Sequence, residues 1–104
     1  MWKLLRVEKS HLPEKKWDAG FGREVNGEKK EKRVPFGAVG YIDYTMTDGD
    51  SEDKKRREMY RSRHKVDLAD RDVTSAGHLS YFILWGESTS REENIRNYKK
   101  RFHL

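Results

Sequence analysis

The chain has no cysteine, only two prolines, and no apolar run beyond the five residues Tyr81–Trp85. Each absence excludes something. Without cysteine there are no disulfides and no thiolate metal sites, and a reducing compartment is compatible. A bilayer-spanning helix takes about 20 apolar residues, so no membrane partner is expected. The N-terminal Met1-Trp2-Lys3-Leu4-Leu5-Arg6 carries no apolar h-region, and no signal peptide is expected. There is no Gly-x-Ser-x-Gly elbow, no Walker A loop and no His-x-x-x-His pair, so the motifs of acyl transfer, nucleotide hydrolysis and zinc chemistry are missing. His11, His64, His78 and His103 are scattered, and neither a metal nor a cofactor is expected.

What is there is charge and aromatic mass. Charged residues make up 39% of the 104, hydrophobic ones 34%, and the formal net charge is +5. That balance alone hints at disorder. Aromatics at 12%, with three Trp, argue instead for one small folded domain, residues 1–104, with a heavily charged surface.

The first part reads as strands. Trp17, Ala19 and Phe21 alternate with Asp18, Gly20 and Gly22, and Val34, Phe36 and Ala38 alternate likewise. Asn26-Gly27 lies between them, the strongest short hairpin signal. A two-residue turn there sets Val25 against Glu28, Phe21 against Lys32, Ala19 against Val34 and Trp17 against Phe36. One face is then apolar and the other pairs Glu24 with Lys29. Pro35 assigns its strand to an edge or a bulge. Trp2 to Val7 predicts a third strand, with either Leu5 and Val7, or Leu4, inward, and Ser10–Pro13 a turn.

The second part reads as helices. Asp48–Ser51 is a turn and cap cluster, followed by Glu52 and Asp53 in a first helical turn. The helix runs to about Val66. Helical phase puts Lys55, Met59, Ser62 and Val66 on a thin inward stripe, with Lys54, Arg57, Arg61, His64 and Lys65 roughly opposite. Ser75 to Trp85 is apolar over most of its circumference, which predicts a buried helix stopped by Gly86. Ser90 to Glu93 fits a capping box opening a third helix with Ile95, Tyr98 and Phe102 on one face. The predicted fold is α+β: a three-stranded antiparallel sheet in the N-terminal half, packed against three helices in the C-terminal half.

The segments Phe36-Gly37-Ala38…Gly40-Tyr41…Asp43-Tyr44-Thr45, Arg57…Tyr60…Arg63-His64 and Ala76-Gly77…Leu79-Ser80…Ile83-Leu84-Trp85 resemble a family of small uncharacterised proteins encoded by large double-stranded DNA viruses. The likeness runs from Trp17 to Phe102. It departs at Val39, where the family commonly has a basic residue, at Ser75, where it has threonine, and at Gly86, where it has asparagine. The resemblance implies a viral origin and no particular activity. It places the chain in the host cytoplasm or nucleus, or in the virion.

For chemistry, Asp48–Asp53 looks like the start of a calcium loop. An EF-hand needs Gly at loop position six and Glu at twelve, where this chain has Asp53 and Met59, so the segment reads as a helix cap. The basic helices carry the remaining signal. Lys54, Arg57, Arg61 and Lys65, with Arg63 and His64 nearer the glycine-tyrosine junction, form the expected phosphate-binding surface. Tyr41, Tyr44 and Tyr60 are placed to stack bases. The expected function is a viral accessory protein binding the phosphate backbone of DNA or RNA without sequence preference. A minor virion component contacting viral structural proteins is the alternative. An enzyme acting on a nucleotide or nucleic acid is the third class, and it requires Asp43, Tyr44 and His64 to converge in a cleft.

Overall fold

The computed structural model describes residues 1–104. Strands β1 (Lys3–Lys9), β2 (Lys15–Val25) and β3 (Glu28–Ala38) form one antiparallel sheet in that order. Helices α1 (Ser51–His64), α2 (Ala76–Leu79, widening into a π-helical turn over Ser80–Leu84) and α3 (Arg91–Phe102) follow. This is the α+β arrangement read from the sequence.

The β2–β3 register is the predicted one throughout: Trp17 lies across from Phe36, Ala19 from Val34, Phe21 from Lys32 and Glu24 from Lys29. Asn26 (φ 52°) and Gly27 (φ 80°) both adopt positive φ, as a type I′ turn requires. Ala19, Phe21 and Phe36 are fully buried on the inner face. β3 is an edge strand, which explains how Pro35 is tolerated. In β1 a bulge between Leu4 and Arg6 displaces Leu5. Leu4 and Val7, three residues apart, therefore both face the core, while Leu5 is exposed and covers Gly22.

α1 opens with a full capping box. The Asp50 side chain accepts from the Asp53 N–H, and the Asp53 carboxylate accepts from the Asp50 N–H. Its orientation corrects the phase reading. Met59 and Val66 are 62% and 73% exposed, and the face carrying Arg57, Tyr60 and Arg61 packs on the domain. The cause lies in α2. Trp85 and Gly86 follow the last turn of α2, where carbonyls have no further helical turn to donate to them. The Arg57 Nε donates to the Gly86 oxygen (2.6 Å), and the Arg61 Nη1 donates to the oxygens of Trp85 (2.7 Å) and Tyr81 (3.2 Å). Leaving such groups unpaired costs about 1–3 kcal/mol each, enough to outweigh a stripe of two apolar side chains.

α2 is the central helix, with Leu79, Ile83 and Leu84 buried and Phe82 half-buried beside Phe102. Gly86 follows it for a reason other than backbone conformation, since its φ is not positive. A Cβ there would collide with the Phe82 carbonyl oxygen and stand 2.7 Å from the Asn94 Cγ. Buried Asn94 donates to the oxygens of Ile83 and Ser88 and accepts from the Ser88 N–H, tying α3 to the end of α2. The Ser90 cap forms, but its own N–H goes to the Ser88 hydroxyl, so the predicted box is half made. The Leu104 carbonyl accepts from the Leu4 N–H and pins β1. No helix is long and apolar enough to cross a membrane.

Candidate functional site

One residue before the end of β3, Gly37 takes φ 80°, a conformation side chains resist. A Cβ there would also stand 2.8 Å from the Leu84 Cδ1. Ala38 still pairs with Lys15, and beyond it the loop 39–43, with the end of β3, faces the C-terminal half of α1 across a cleft of about 830 Å³. The floor of the cleft comprises Phe36, Leu84 and Trp85, with Gly77 and Ser80 from α2. One wall carries Arg56, Tyr60, Arg63 and His64, which share one side of α1 by their spacing of four, seven and eight residues. The other carries Lys15, Lys16, Tyr41 and Asp43.

The groups in the cleft divide into committed and free. The Lys16 Nζ donates to Asp43 (2.7 Å) and to the Tyr41 carbonyl. Asp43 also accepts from the Thr45 N–H and hydroxyl, capping the short 3-10 turn Tyr44–Met46. The His64 Nδ1 lies 3.0 Å from Asp67. The Tyr60 ring is sandwiched between His64 (centroids 4.1 Å apart) and Trp85 (4.5 Å). Burial, then the charge of Asp67, push the Tyr60 phenol above its ordinary pKa, so it stays a neutral donor. Lys15, Arg56 and Arg63 have no carboxylate or carbonyl partner among the hydrogen bonds and ion pairs of the structure. They are the free cations of the cleft.

The structure divides the residues predicted from sequence. Arg63, His64, Tyr60 and Tyr41 come together at the cleft, with Tyr41 on its lip and 74% exposed. Arg57 and Arg61 lie off the cleft and cap α2. Arg61 also stacks on the Tyr81 ring at 4.0 Å, and burial pulls its guanidinium below the ordinary pKa. Tyr44 is buried, with the Arg57 guanidinium 5.8 Å from its ring, and does not line the cleft. Asp43 and His64 both line it but hold different partners. Lys54 and Lys65 are exposed on α1 and at its C-cap, outside the cleft. Sequence reasoning missed Lys15, Arg56 and Trp85. The Arg56–Tyr60–Arg63 spacing was the signal for one of them, while Lys15 and Trp85 arrive by tertiary contact. No group of three or more His, Asp or Glu is placed to hold a metal ion.

No curated protein and no solved structure matches the chain. A family model described as a family of unknown function (DUF5754) matches residues 5–64. That stretch holds both walls of the cleft, from Lys15 to His64, and leaves out the part of the floor supplied by α2. Since the match takes in more than half of the 104 residues, the chain belongs to this family, DUF5754.

Proposed function

We propose that this chain is a nucleic-acid-binding accessory protein, of viral origin, that holds backbone phosphates of DNA or RNA without reading sequence. The cleft between α1 and the loop 39–43 is the proposed seat of that binding. One observation carries the reading: three cations, Lys15, Arg56 and Arg63, surround the cleft with no acidic partner. An unpaired guanidinium keeps its donors for a ligand, whereas Arg57 and Arg61 have spent theirs on α2 carbonyls. The net charge of +5 adds long-range attraction for a polyanion. Phosphate contacts, unlike base-edge contacts, give affinity that is indifferent to sequence.

The test is a fluorescence-anisotropy titration of mixed-sequence oligonucleotides over a salt series. Affinity should fall steeply with salt, and Arg56→Ala combined with Arg63→Ala should flatten the slope by about two, one per phosphate contact. No binding at low salt would overturn the reading. The second reading, a component docking on viral structural proteins, draws on a different observation: Val39, Tyr41, Ile42 and Met46 are each more than half exposed. A packed protein interface would be far less sensitive to salt.

A further inference from the structure

The loop 39–43 is a ridge with a hollow on each side. Behind it lies a second hollow of about 740 Å³, bounded by Lys9, Leu12, Trp17, Met46 and Arg91. Lys15, Lys16, Tyr41, Ile42 and Asp43 line both hollows, so the two meet along the ridge. Its crest is apolar: Tyr41 is 74% exposed and Ile42 55%, with Val39 (53%) and Met46 (58%) on the far slope. Free cations stand on both sides. Arg56 and Arg63 lie on the α1 side, Lys15 is shared, and Lys9 lies beyond. Arg91 is occupied by Glu92 and by the Trp17 ring.

A duplex offers phosphates and groove edges to such a surface but no free base face, because its bases are stacked and paired inside. The exposed Tyr41 ring would then have no base face to stack on. A single strand offers phosphates and unpaired bases in alternation, which is what cations flanking an exposed aromatic ring can engage. Tyr60 cannot supply that ring, since His64 and Trp85 cover its two faces. Tyr41 can. We propose that the chain binds single-stranded nucleic acid along a track crossing this ridge, with phosphates at Arg56 and Arg63 on one side and at Lys15 and Lys9 on the other, and a base stacked on Tyr41. The proposal rests on the phosphate-binding reading and adds strandedness and path.

The experiment measures anisotropy with oligothymidylate and oligouridylate of about four and about 16 nucleotides, spanning usual single-strand site sizes, and with a 16-mer-length duplex. The wild type should bind the longer single strands at least about tenfold more tightly than the duplex. Tyr41→Ala should weaken single-strand binding about tenfold and leave duplex binding unchanged, and Tyr41→Phe should restore it. Lys9→Glu should weaken the long oligomers and spare the short ones. Circular dichroism checks that these exposed-site variants stay folded. Equal affinity for both forms, with Tyr41→Ala neutral, would overturn the single-strand track while leaving phosphate binding in place. Absence of binding to every oligonucleotide would overturn both. Binding of polyglutamate that exceeds that of the oligonucleotides and depends on Tyr41 would overturn the track in favour of an acidic protein partner.

Discussion

Two arginines show how far a side chain's role depends on what lies across from it. Arg57 and Arg61 read as solvent cations by helical phase, yet they cap the end of α2. Hydrogen bonds to a charged donor contribute about 1.5–3 kcal/mol, so Arg61→Ala should destabilise the fold by about that much in urea denaturation. Arg63→Ala, which breaks no internal contact, should shift stability by less than about 0.5 kcal/mol. Periodicity ranks positions by hydrophobicity and cannot see an orphan carbonyl on another element, which is why the face of α1 was not legible. Asp18 makes the same point. It sits on the sheet's outer face, where exposure is expected, but is only 2% exposed. The loop Ser10–His11 folds over it, donating from the Ser10 hydroxyl and the His11 N–H, with the His11 ring and Arg33 alongside. Burial works against its ionisation, but these hydrogen bonds together outweigh burial and hold its carboxyl below the ordinary value of 3.8. A folded-state pKa below the unfolded one contributes stability that is present above the unfolded value and lost as pH falls through the folded one. Acid titration of stability should therefore show a loss below about pH 4 that Asp18→Asn removes, while that variant is less stable at neutral pH.

At the scale of elements, the hairpin was fully legible and α2 only in part. Asn26-Gly27 is local chemistry with a known geometry, and one turn fixes every pair from Val25–Glu28 to Trp17–Phe36. The β1 bulge was not legible, because alternation allows Leu5 with Val7, or Leu4 without it, on the core face, and only the pairing with β2 brings Leu4 and Val7 there together. For α2, the apolar circumference correctly announced burial, but the π turn, closed by the Trp85 N–H on the Ser80 oxygen, has no signature in local hydrophobicity. The element makes two opposite-signed volume predictions. Ile83→Ala empties a fully buried site and should cost about 2–5 kcal/mol. Gly86→Ala adds one methyl where backbone and Asn94 already stand, and should cost about 1–3 kcal/mol, or more if the Asn94 bonds break. Thermal unfolding of the two variants checks both. A neutral Gly86→Ala would show that the end of α2 can yield, and would weaken the case that Asn94 locks α3 in place.

For the whole molecule, the question is whether any basic surface would do, or whether the cleft matters. A net charge of +5 attracts polyanions wherever the cations sit. The free cations at the cleft were half legible: the Arg56–Tyr60–Arg63 stripe is written in the spacing, but Lys15 meets it only because it pairs with Ala38 at the end of β3, beside the loop 39–43 opposite α1. The β2–β3 hairpin tip supplies an internal control, since Lys29 and Lys30 are exposed there, far along a molecule 49 Å in its longest dimension. Arg56→Glu with Arg63→Glu, and Lys29→Glu with Lys30→Glu, lower the net charge by the same amount. If charge alone governs, both pairs weaken oligonucleotide binding equally and share one salt slope. If the cleft is the site, the first pair lowers affinity at least about tenfold more than the second and flattens the slope by about two, because only it removes phosphate contacts. The hairpin pair should then act only through the long-range field, an effect that fades once ionic strength shortens the screening length to about 10 Å at 0.1 M. Measuring both pairs at two salt concentrations separates contact from field, and equal losses at the higher one would remove the cleft from consideration.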